Sequence, residues 1–322
     1  MSAPAAARAR STAQAGAEVR ERPRRGGVTR PSPVLWLFAA PTLAVYAYFF
    51  AVPTLQTFVY ALTDWDGYSA QFSWVGLSNF ATLATADDQF RNATLNSLQF
   101  TLTVVVVQTL LSLALAVLLL RTTRASTLLR ALFFFPAILS SVAVAFVWRF
   151  VFDPDLGPLE RALSAVGLGG GGYLADPGTA ILWLALVQVW AHAGQLMVVF
   201  IAGLQQIPAV LYEAATVDGA SRWQKFRHVT LPLVAPTALI VLAYTTVQSF
   251  KAFDLVLGIA GNPPNPPLDI LATRIYSGFA DSLFGYAAAE SVIFLVLIAL
   301  VTWLQRRAIA RTAGARAAEG GA

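Results

Sequence analysis

The stretch "TLTVVVVQTLLSLALAVLLL" at residues 101–120 contains no charged side chain. About 20 consecutive apolar residues are what an α-helix needs to cross about 30 Å of hydrocarbon. The rest of the chain has a similar composition: of its 322 residues, 57% are hydrophobic and 12% are charged, and the mean hydropathy is +0.63. A soluble domain carries about twice that charged fraction, so the sequence indicates a membrane protein.

Five further runs have comparable length and polarity, and together they predict an all-α polytopic fold with six transmembrane helices. The predicted spans lie near 34–60, 94–120, 129–152, 179–204, 233–257 and 285–305. The first run has a second interpretation as a signal peptide. Its apolar region is long for that role, and no small-residue cleavage site follows it.

The distribution of basic residues predicts the orientation in the cytoplasmic membrane. The tail before the first span, the alternate loops and the C-terminal tail hold 17 of the 22 Lys and Arg residues. Because cytoplasmic loops carry an excess of positive charge, both termini are predicted to face the cytoplasm. The predicted segments are a disordered basic tail at 1–32, the first helix and outer loop at 33–93, a core transmembrane domain at 94–305 and a cytoplasmic tail at 306–322.

Covalent and metal chemistry find little support in the sequence. The chain has no Cys and only two His, so neither a catalytic constellation nor a metal site is predicted. Lys225 and Lys251 are followed by Phe and Ala, so neither completes a phosphate-binding loop. The Gly-rich run at 167–173 lacks the required Lys and is interpreted as a flexible connector. No nucleic-acid partner is expected.

A polar stretch, "LYEAATVDGASRWQKFRHVTLP" at 211–232, separates two apolar runs on the predicted cytoplasmic side. Pro208 permits a helix start, and Asp218-Gly219 should end that helix with Gly at positive φ. Ser221 and Gln224 have the spacing of a capping box for a second short helix, which Leu231-Pro232 should end. The expected product is a helix–turn–helix elbow over 209–232.

This elbow has two interpretations from its residues. The adjacent Ala214 and Ala215 would let another backbone approach closely, and Trp223 and Phe226 would form an apolar knob of the kind that anchors interfaces. The alternative is an amphipathic hairpin that rests among lipid headgroups.

The order of several motifs adds to this interpretation. "EAATVDGAS" at 213–221, followed by "LP" at 231–232, resembles the EAA motif of binding-protein-dependent ABC importer permeases. "FSWVGLSNF" at 72–80, "FKAFD" at 250–254 and "GYAAAES" at 285–291 resemble the carbohydrate-importing branch, of the maltose, lactose and glycerol-phosphate type. One departure is "GNPPNPP" at 261–267, where that branch often has a Gly-Gly-Pro turn. The resemblance covers about 60–305.

The resemblance implies a permease subunit that pairs with a second, homologous permease, an ATP-binding subunit dimer and an extracytoplasmic solute-binding protein. ATP-Mg would be bound by the partner ATPase, with no cofactor in this chain, and the elbow would be the coupling helix that docks on the ATPase. The implied coupling residues are Glu213, Ala214, Ala215, Asp218, Gly219, Trp223, Phe226, Leu231 and Pro232.

Polar residues inside the predicted spans indicate where a solute could pass, because such residues usually face the bundle interior or an aqueous path. Three stripes have i, i+3 or i+4 spacing and therefore share a helix face. They comprise Gln188, His192 and Gln195; Tyr244, Gln248 and Lys251; and Asn96, Gln99 and Thr103. The alternative for each residue is a hydrogen bond between helices.

The predicted substrate pathway contains Gln188, His192, Tyr244, Gln248 and Lys251, whose amide, hydroxyl and aromatic groups suit a sugar. Glu290 is expected to pair with Lys251. Two other classes of protein compete with this prediction. A secondary transporter driven by an ion gradient would need coupling carboxylates and often an internal repeat. A membrane-embedded enzyme would need a clustered acid, base or metal constellation.

Overall fold

The computed structural model describes residues 33–167 and 172–319, with side chains at 37–167 and 172–307. These residues are helical apart from turns and one isolated bridge between Thr63 and Trp74. The predicted all-α class is therefore confirmed. The basic tail at 1–32 and most of the Gly-rich run at 167–173 lie outside the described residues.

Contacts divide the chain into two compact units, Met1–Pro53 and Thr54–Ala322. In the first, helix α1 (Pro33–Tyr46) is followed by a π-helical turn, Ala47–Ala51. The next helix, α2, spans Val52–Tyr60, and the stretch Leu37–Tyr60 is long and apolar enough to cross a membrane. The first predicted span is thus confirmed as a helix of the right length.

The second unit contains most of α2 and all the helices that follow it, and some of these helices begin at a side-chain cap. After α3 (Ser78–Thr85), the long helix α4 (Asp88–Leu118) begins at Asp87, whose carboxylate accepts from the Phe90 N–H. The other long helices are α8, α11 and α14. In chain order, the helices after α4 are α5 (Arg124–Phe134), α6 (Ser141–Val151), α7 (Pro158–Ala165), α8 (Ala180–Gln205), α9 (Ala209–Val217), α10 (Arg222–Lys225), α11 (Leu231–Phe250), α12 (Phe253–Ala260), α13 (Leu271–Ala280) and α14 (Phe284–Glu319).

Helix α8 is the centre of this unit, with 67% of its most apolar window buried. Lipid offers helices little hydrophobic reason to associate, so close backbone packing carries much of the attraction. Two glycines of α8 permit such packing. A Cβ at Gly194 would collide with the backbone carbonyl of Phe133 in α5, and one at Gly203 would meet Thr237 of α11.

The third predicted span, 129–152, is wrong as a continuous helix. Helix α5 passes into a 3₁₀ turn, Phe135–Ile138, and α6 then leaves at a bend of 99°. Pro136 removes a backbone donor at the end of α5, and the Ser140 Oγ accepts from the Ala143 N–H to start a new helix. The described residues therefore contain five candidate spans, or six if this bent pair is one span.

The fifth predicted span, 233–257, also differs from the structure. Helix α11 ends at Phe250, and Lys251 and Ala252 separate it from α12. Helix α12 packs on α6 closely enough that a Cβ at Gly258 would lie 2.6 Å from the Ala145 Cβ. The charged Lys251 thus marks a break in the helix, which the apolar composition of the run concealed.

A charge cluster stabilises the far end of the bundle, which we define as the end away from residues 209–232. Arg274 of α13 lies with its Nη2 3.7 Å from the Asp87 Oδ2 and its Nε 3.5 Å from the Glu290 Oε1. The Tyr286 hydroxyl also donates to the Asp87 carboxylate, at 2.7 Å. Burial raises the pKa of Asp87, but these contacts and the Phe90 N–H outweigh it and lower the pKa below its usual value.

The expected pairing of Glu290 with Lys251 is therefore wrong. Glu290 is 1% exposed and lies beside Arg274, which belongs to the preceding helix, α13. The run 271–280 is too short for its hydrophobic periodicity to indicate that the side chain of Arg274 points into the bundle. The pairing satisfies the rule that a buried carboxylate requires a cation.

The stripe on α4 does not form one solute-facing surface. The Asn96 Nδ2 donates to the carbonyls of Pro266 and Asp269, at 3.0 and 2.9 Å, in the Pro-rich loop between α12 and α13. Gln99 is exposed and Thr103 is half-buried. Asn96 thus holds a loop, whereas the alternative interpretation predicted a hydrogen bond between helices.

We expect Asn96→Ala to loosen the Pro-rich loop without unfolding the bundle. Removing the amide takes this donor from the Asp269 carbonyl, whereas the Pro266 carbonyl still accepts from the Asn92 Nδ2 at 2.6 Å. The lost bonds correspond to about 1–3 kcal/mol of local stability. Hydrogen exchange at residues 268–271 should accelerate by about tenfold. Gln99→Ala, an exposed amide on the same helix, is the matched control. Equal exchange rates in both variants would contradict the role of Asn96.

Candidate functional site

The elbow begins with α9 and a glycine turn. The Gly219 N–H donates to the Thr216 carbonyl at 3.1 Å, and the Ala220 N–H donates to the Ala215 carbonyl at 2.9 Å. Gly219 has φ of +76°, and this pair of bonds is the Schellman arrangement that ends a helix at a left-handed glycine. The predicted helix end and glycine conformation are confirmed.

The second arm of the elbow starts as the sequence predicts but does not end where it predicts. Ser221 and Gln224 form the expected capping box, with reciprocal bonds of 3.3 and 2.7 Å. The end at Leu231-Pro232 is wrong, because one unbroken helix continues from Arg222 to Phe250. A π-helical turn at Phe226–Thr230 lies just before Pro232, where the wider turn accommodates a residue without an N–H.

Two side-chain contacts join the arms of the elbow. The Lys225 Nζ donates to the Thr216 Oγ1 at 2.8 Å, and the Tyr212 hydroxyl shares a 3.0 Å hydrogen bond with the Thr230 Oγ1. Because each contact pairs α9 with the second arm, the angle between the arms is fixed by side chains and by the glycine turn together. The elbow is thus a defined structural unit.

The surface of the elbow presents an acidic side chain, Glu213, and a separate aromatic pair, Trp223 and Phe226. Glu213 is exposed and, among the side chains described at 37–167 and 172–307, has no ion-pair partner. Trp223 is 65% exposed and stacks on Phe226 with ring centroids 5.6 Å apart. Ala215 is half-buried. The remaining predicted coupling residues are exposed, and they are Ala214, Asp218, Gly219, Leu231 and Pro232. Their role in coupling stays a prediction.

A polar cavity of about 260 Å³ lies between α6, α8, α11 and α12. It brings together the whole predicted substrate pathway from two different helices, although the role of these residues also stays a prediction. The lining residues are Ser141, Gln188, His192, Tyr244, Val247, Gln248, Lys251, Ala252, Asp254 and Leu255.

Hydrogen bonds orient some of these side chains and leave others available. The His192 Nδ1 donates to the Gln188 carbonyl at 3.1 Å, and the Gln195 Nε2 donates to the Tyr244 hydroxyl at 3.3 Å, which links α8 to α11. The Gln248 Oε1 is buried and has no partner among the described residues. An unpaired amide oxygen beside a polar cavity is suited to accept a hydrogen bond from a hydroxyl group.

Sequence reasoning missed two polar residues of the cavity and one buried amide. Ser141 follows the break in the third predicted span, so a continuous helix gave it no special position. Asp254 lies three residues after Lys251 in "FKAFD", a signal that the sequence does contain. Gln108 of α4 is fully buried, and neither of its amide atoms has a partner in the part of the chain that the structure describes.

Comparison with known proteins identifies the family. A family model described as "Binding-protein-dependent transport system inner membrane component" matches residues 108–314. The chain is 32% identical to a probable starch degradation products transport system permease of Thermoanaerobacterium thermosulfurigenes, over 84% of this chain and 91% of that protein. It is 31% identical to a multiple sugar-binding transport system permease of Streptococcus mutans, over 84% and 93%.

Solved structures agree with the fold. A chain from a bacterial ABC transporter involved in the import of the acidic polysaccharide alginate superposes with a TM-score of 0.75 at 22% identity, covering 86% of this chain and 95% of that chain. A chain of the alginate ABC transporter in complex with a pentasaccharide-bound periplasmic protein gives a TM-score of 0.73. By its sequence and its fold, this multi-pass membrane protein belongs to the family of binding-protein-dependent transport system inner membrane components.

Proposed function

We propose that this chain is the permease subunit of an ATP-driven importer that conducts a carbohydrate across the cytoplasmic membrane. The observation that carries the proposal is the unbroken helix from Arg222 to Phe250. One end of this helix is the second arm of the elbow, and the other end lines the polar cavity with Tyr244 and Gln248. At about 1.5 Å per residue, its 29 residues span about 43 Å.

This geometry supports alternating access. A partner that moves the elbow also moves the cavity wall, because a continuous helix transmits displacement as a rigid element. The energy would come from an ATPase dimer that binds ATP-Mg, since neither Lys of this chain stands in a phosphate-binding sequence. Glu213 would pair with a basic group of the ATPase, and Trp223 would fill a pocket in it.

The family suggests the other subunits of the importer, and the position of the elbow at one end of the bundle suggests where each would bind. A second, homologous permease would complete the pathway, and an extracytoplasmic solute-binding protein would deliver the solute at the far end of the bundle. The elbow and both termini would face the cytoplasm, in agreement with the positive charge of Arg222, Lys225 and Arg227 near the elbow.

A carbohydrate fits the chemistry of the cavity. Gln188, Gln248 and Ser141 offer hydrogen-bond donors and acceptors for hydroxyl groups, while the Tyr244 ring offers a flat surface for C–H faces. The named sugar permeases among the relatives support the same class of solute. The chain would bind and conduct the solute without covalent chemistry.

The test is uptake of radiolabelled maltooligosaccharides into proteoliposomes that contain the whole importer and its binding protein. ATP inside the vesicles should drive uptake, whereas an ion gradient without ATP should not. Uptake that survives without ATP and collapses with an ionophore would support the competing function, a secondary transporter driven by an ion gradient.

A second measurement tests the cavity. Gln248→Ala should lower uptake by about tenfold, because one or two hydrogen bonds to the solute are lost. Basal ATP hydrolysis should stay unchanged, since the elbow is intact. Gln99→Ala, an exposed amide on α4, is the matched control and should transport normally. An unchanged rate for Gln248→Ala would remove this cavity from the pathway.

A further inference from the structure

Two opposite charges lie in the cavity at the break between α11 and α12. Lys251 follows the last residue of α11, and Asp254 is in the first turn of α12. Both side chains are exposed to the cavity that contains Gln188 and Gln248. Lys251 and Asp254 lie three positions apart, and at the helix break both contribute to the wall of this cavity.

Neither charge is neutralised by a neighbour. Among the residues that the structure describes, ion pairs within 4.0 Å involve Arg91 and Arg274, and neither Lys251 nor Asp254 takes part in one. Their side chains also lack hydrogen-bond partners there, whereas Tyr244 and His192 have them. The cavity thus holds one free cation and one free anion, with a formal sum of zero.

We propose that Lys251 and Asp254 act as a paired charge filter that makes this pathway selective for uncharged glycosides over acidic and amino sugars. The inference rests on the proposed function and assigns Asp254 a specificity-determining role. An ammonium group donates hydrogen bonds and a carboxylate accepts them, so the pair matches sugar hydroxyls, which do both.

A charged solute meets one attractive and one repulsive group in the same cavity. Its attraction to one residue is offset by repulsion from the other, while it loses more hydration than a neutral sugar on entering. The filter therefore disfavours uronates through Asp254 and amino sugars through Lys251. Removing one member of the pair should relax selectivity toward the opposite class.

The experiment measures direct binding to the purified importer without its binding protein, so that the binding protein's own selectivity does not enter. Saturation-transfer difference NMR, which detects weak ligands, would compare three probes with one skeleton. They are maltose, an analogue with one primary alcohol oxidised to a carboxylate, and an analogue with one hydroxyl replaced by an amine.

The two variants should change selectivity in opposite directions. Asp254→Asn should improve binding of the carboxylate analogue relative to maltose by about tenfold, and Lys251→Gln should do the same for the amine analogue. Asp155→Asn, in an exposed loop outside the cavity, is the charge-matched control and should change neither ratio. ATP-driven uptake is measured alongside, because it tests the proposed function separately.

Three results would overturn the filter. The parent importer could bind a charged analogue as well as maltose, both variants could shift the ratios in one direction, or no probe could bind while ATP-driven sugar uptake is present. In each case uptake distinguishes the two proposals. Loss of all ATP-driven uptake in the parent importer would instead overturn the proposed function and the filter with it.

Discussion

Gly219→Val should abolish coupling between ATP hydrolysis and transport while leaving the membrane helices folded. Gly219 has φ of +76°, a conformation in which a β-branched residue is strained by about 1–2 kcal/mol or more. No atom lies within 4 Å of the position of the added Cβ, so the effect comes from the backbone and not from a collision. The turn must therefore change its shape.

A changed turn redirects α9 relative to the second arm. The Schellman bonds to Thr216 and Ala215, and the bond from Lys225 to Thr216, depend on that turn. We expect solute-stimulated ATP hydrolysis by the whole importer in proteoliposomes to fall by about tenfold or more, since 1.4 kcal/mol corresponds to a factor of about ten. The subunits should still co-purify in mild detergent if the fold is intact.

Gly76→Val provides a matched control for backbone strain. Gly76 also has positive φ, at +60°, and also has no atom within 4 Å of an added Cβ, but it lies in the loop before α3. Both variants should therefore lose similar stability, and Gly219→Val alone should lose stimulated hydrolysis. Normal stimulated ATP hydrolysis in Gly219→Val would contradict the coupling role and favour the alternative, in which the elbow is a hairpin that rests among lipid headgroups.

Arg274→Met should lower the free energy of unfolding of the bundle by about 3–5 kcal/mol. The substitution removes the cation between Asp87 and Glu290 and leaves two carboxylates close together, one of which is 1% exposed. A buried carboxylate without a cation is costly, and the volume of Met keeps the packing largely unchanged. The midpoint of thermal unfolding in detergent would measure the loss.

The double variant Arg274→Met with Glu290→Gln separates charge from packing. Replacing the deeply buried carboxylate by an amide should recover about half of the lost stability or more, because the unpaired charge is gone. Lys251→Met is the control for the pairing expected from sequence and should leave the midpoint unchanged. A large loss in Lys251→Met, or no recovery in the double variant, would contradict the assigned ion pair.

Much of the architecture could be predicted from sequence because the spans are long and apolar. The helices α4, α8 and α14 lie where hydropathy placed them, and the elbow has its predicted helix, glycine turn and capping box. These features depend on local chemistry within about four residues. The pathway residues came together because i, i+4 spacing fixes a shared face on α8 and on α11.

What could not be predicted depends on contacts between distant segments. Pro136 and Ser140 break the third span, but hydropathy averages over them. Arg274 of α13 pairs with Glu290 of α14. To choose Arg274 over Lys251 as the partner of Glu290, one must know which helices are adjacent. The continuation of the elbow through Pro232 depends on a π-helical turn, which has no simple sequence pattern.

The 99° bend between α5 and α6 has a consequence for how the chain is made. A bent segment leaves backbone polar groups without partners in their own helix, and hydrocarbon offers them none. The surface that covers the end of α5 is α8 at Gly194, which is synthesised about 60 residues later. We therefore expect the bend in segment 124–151 to reach its final packing only after α8 has been synthesised.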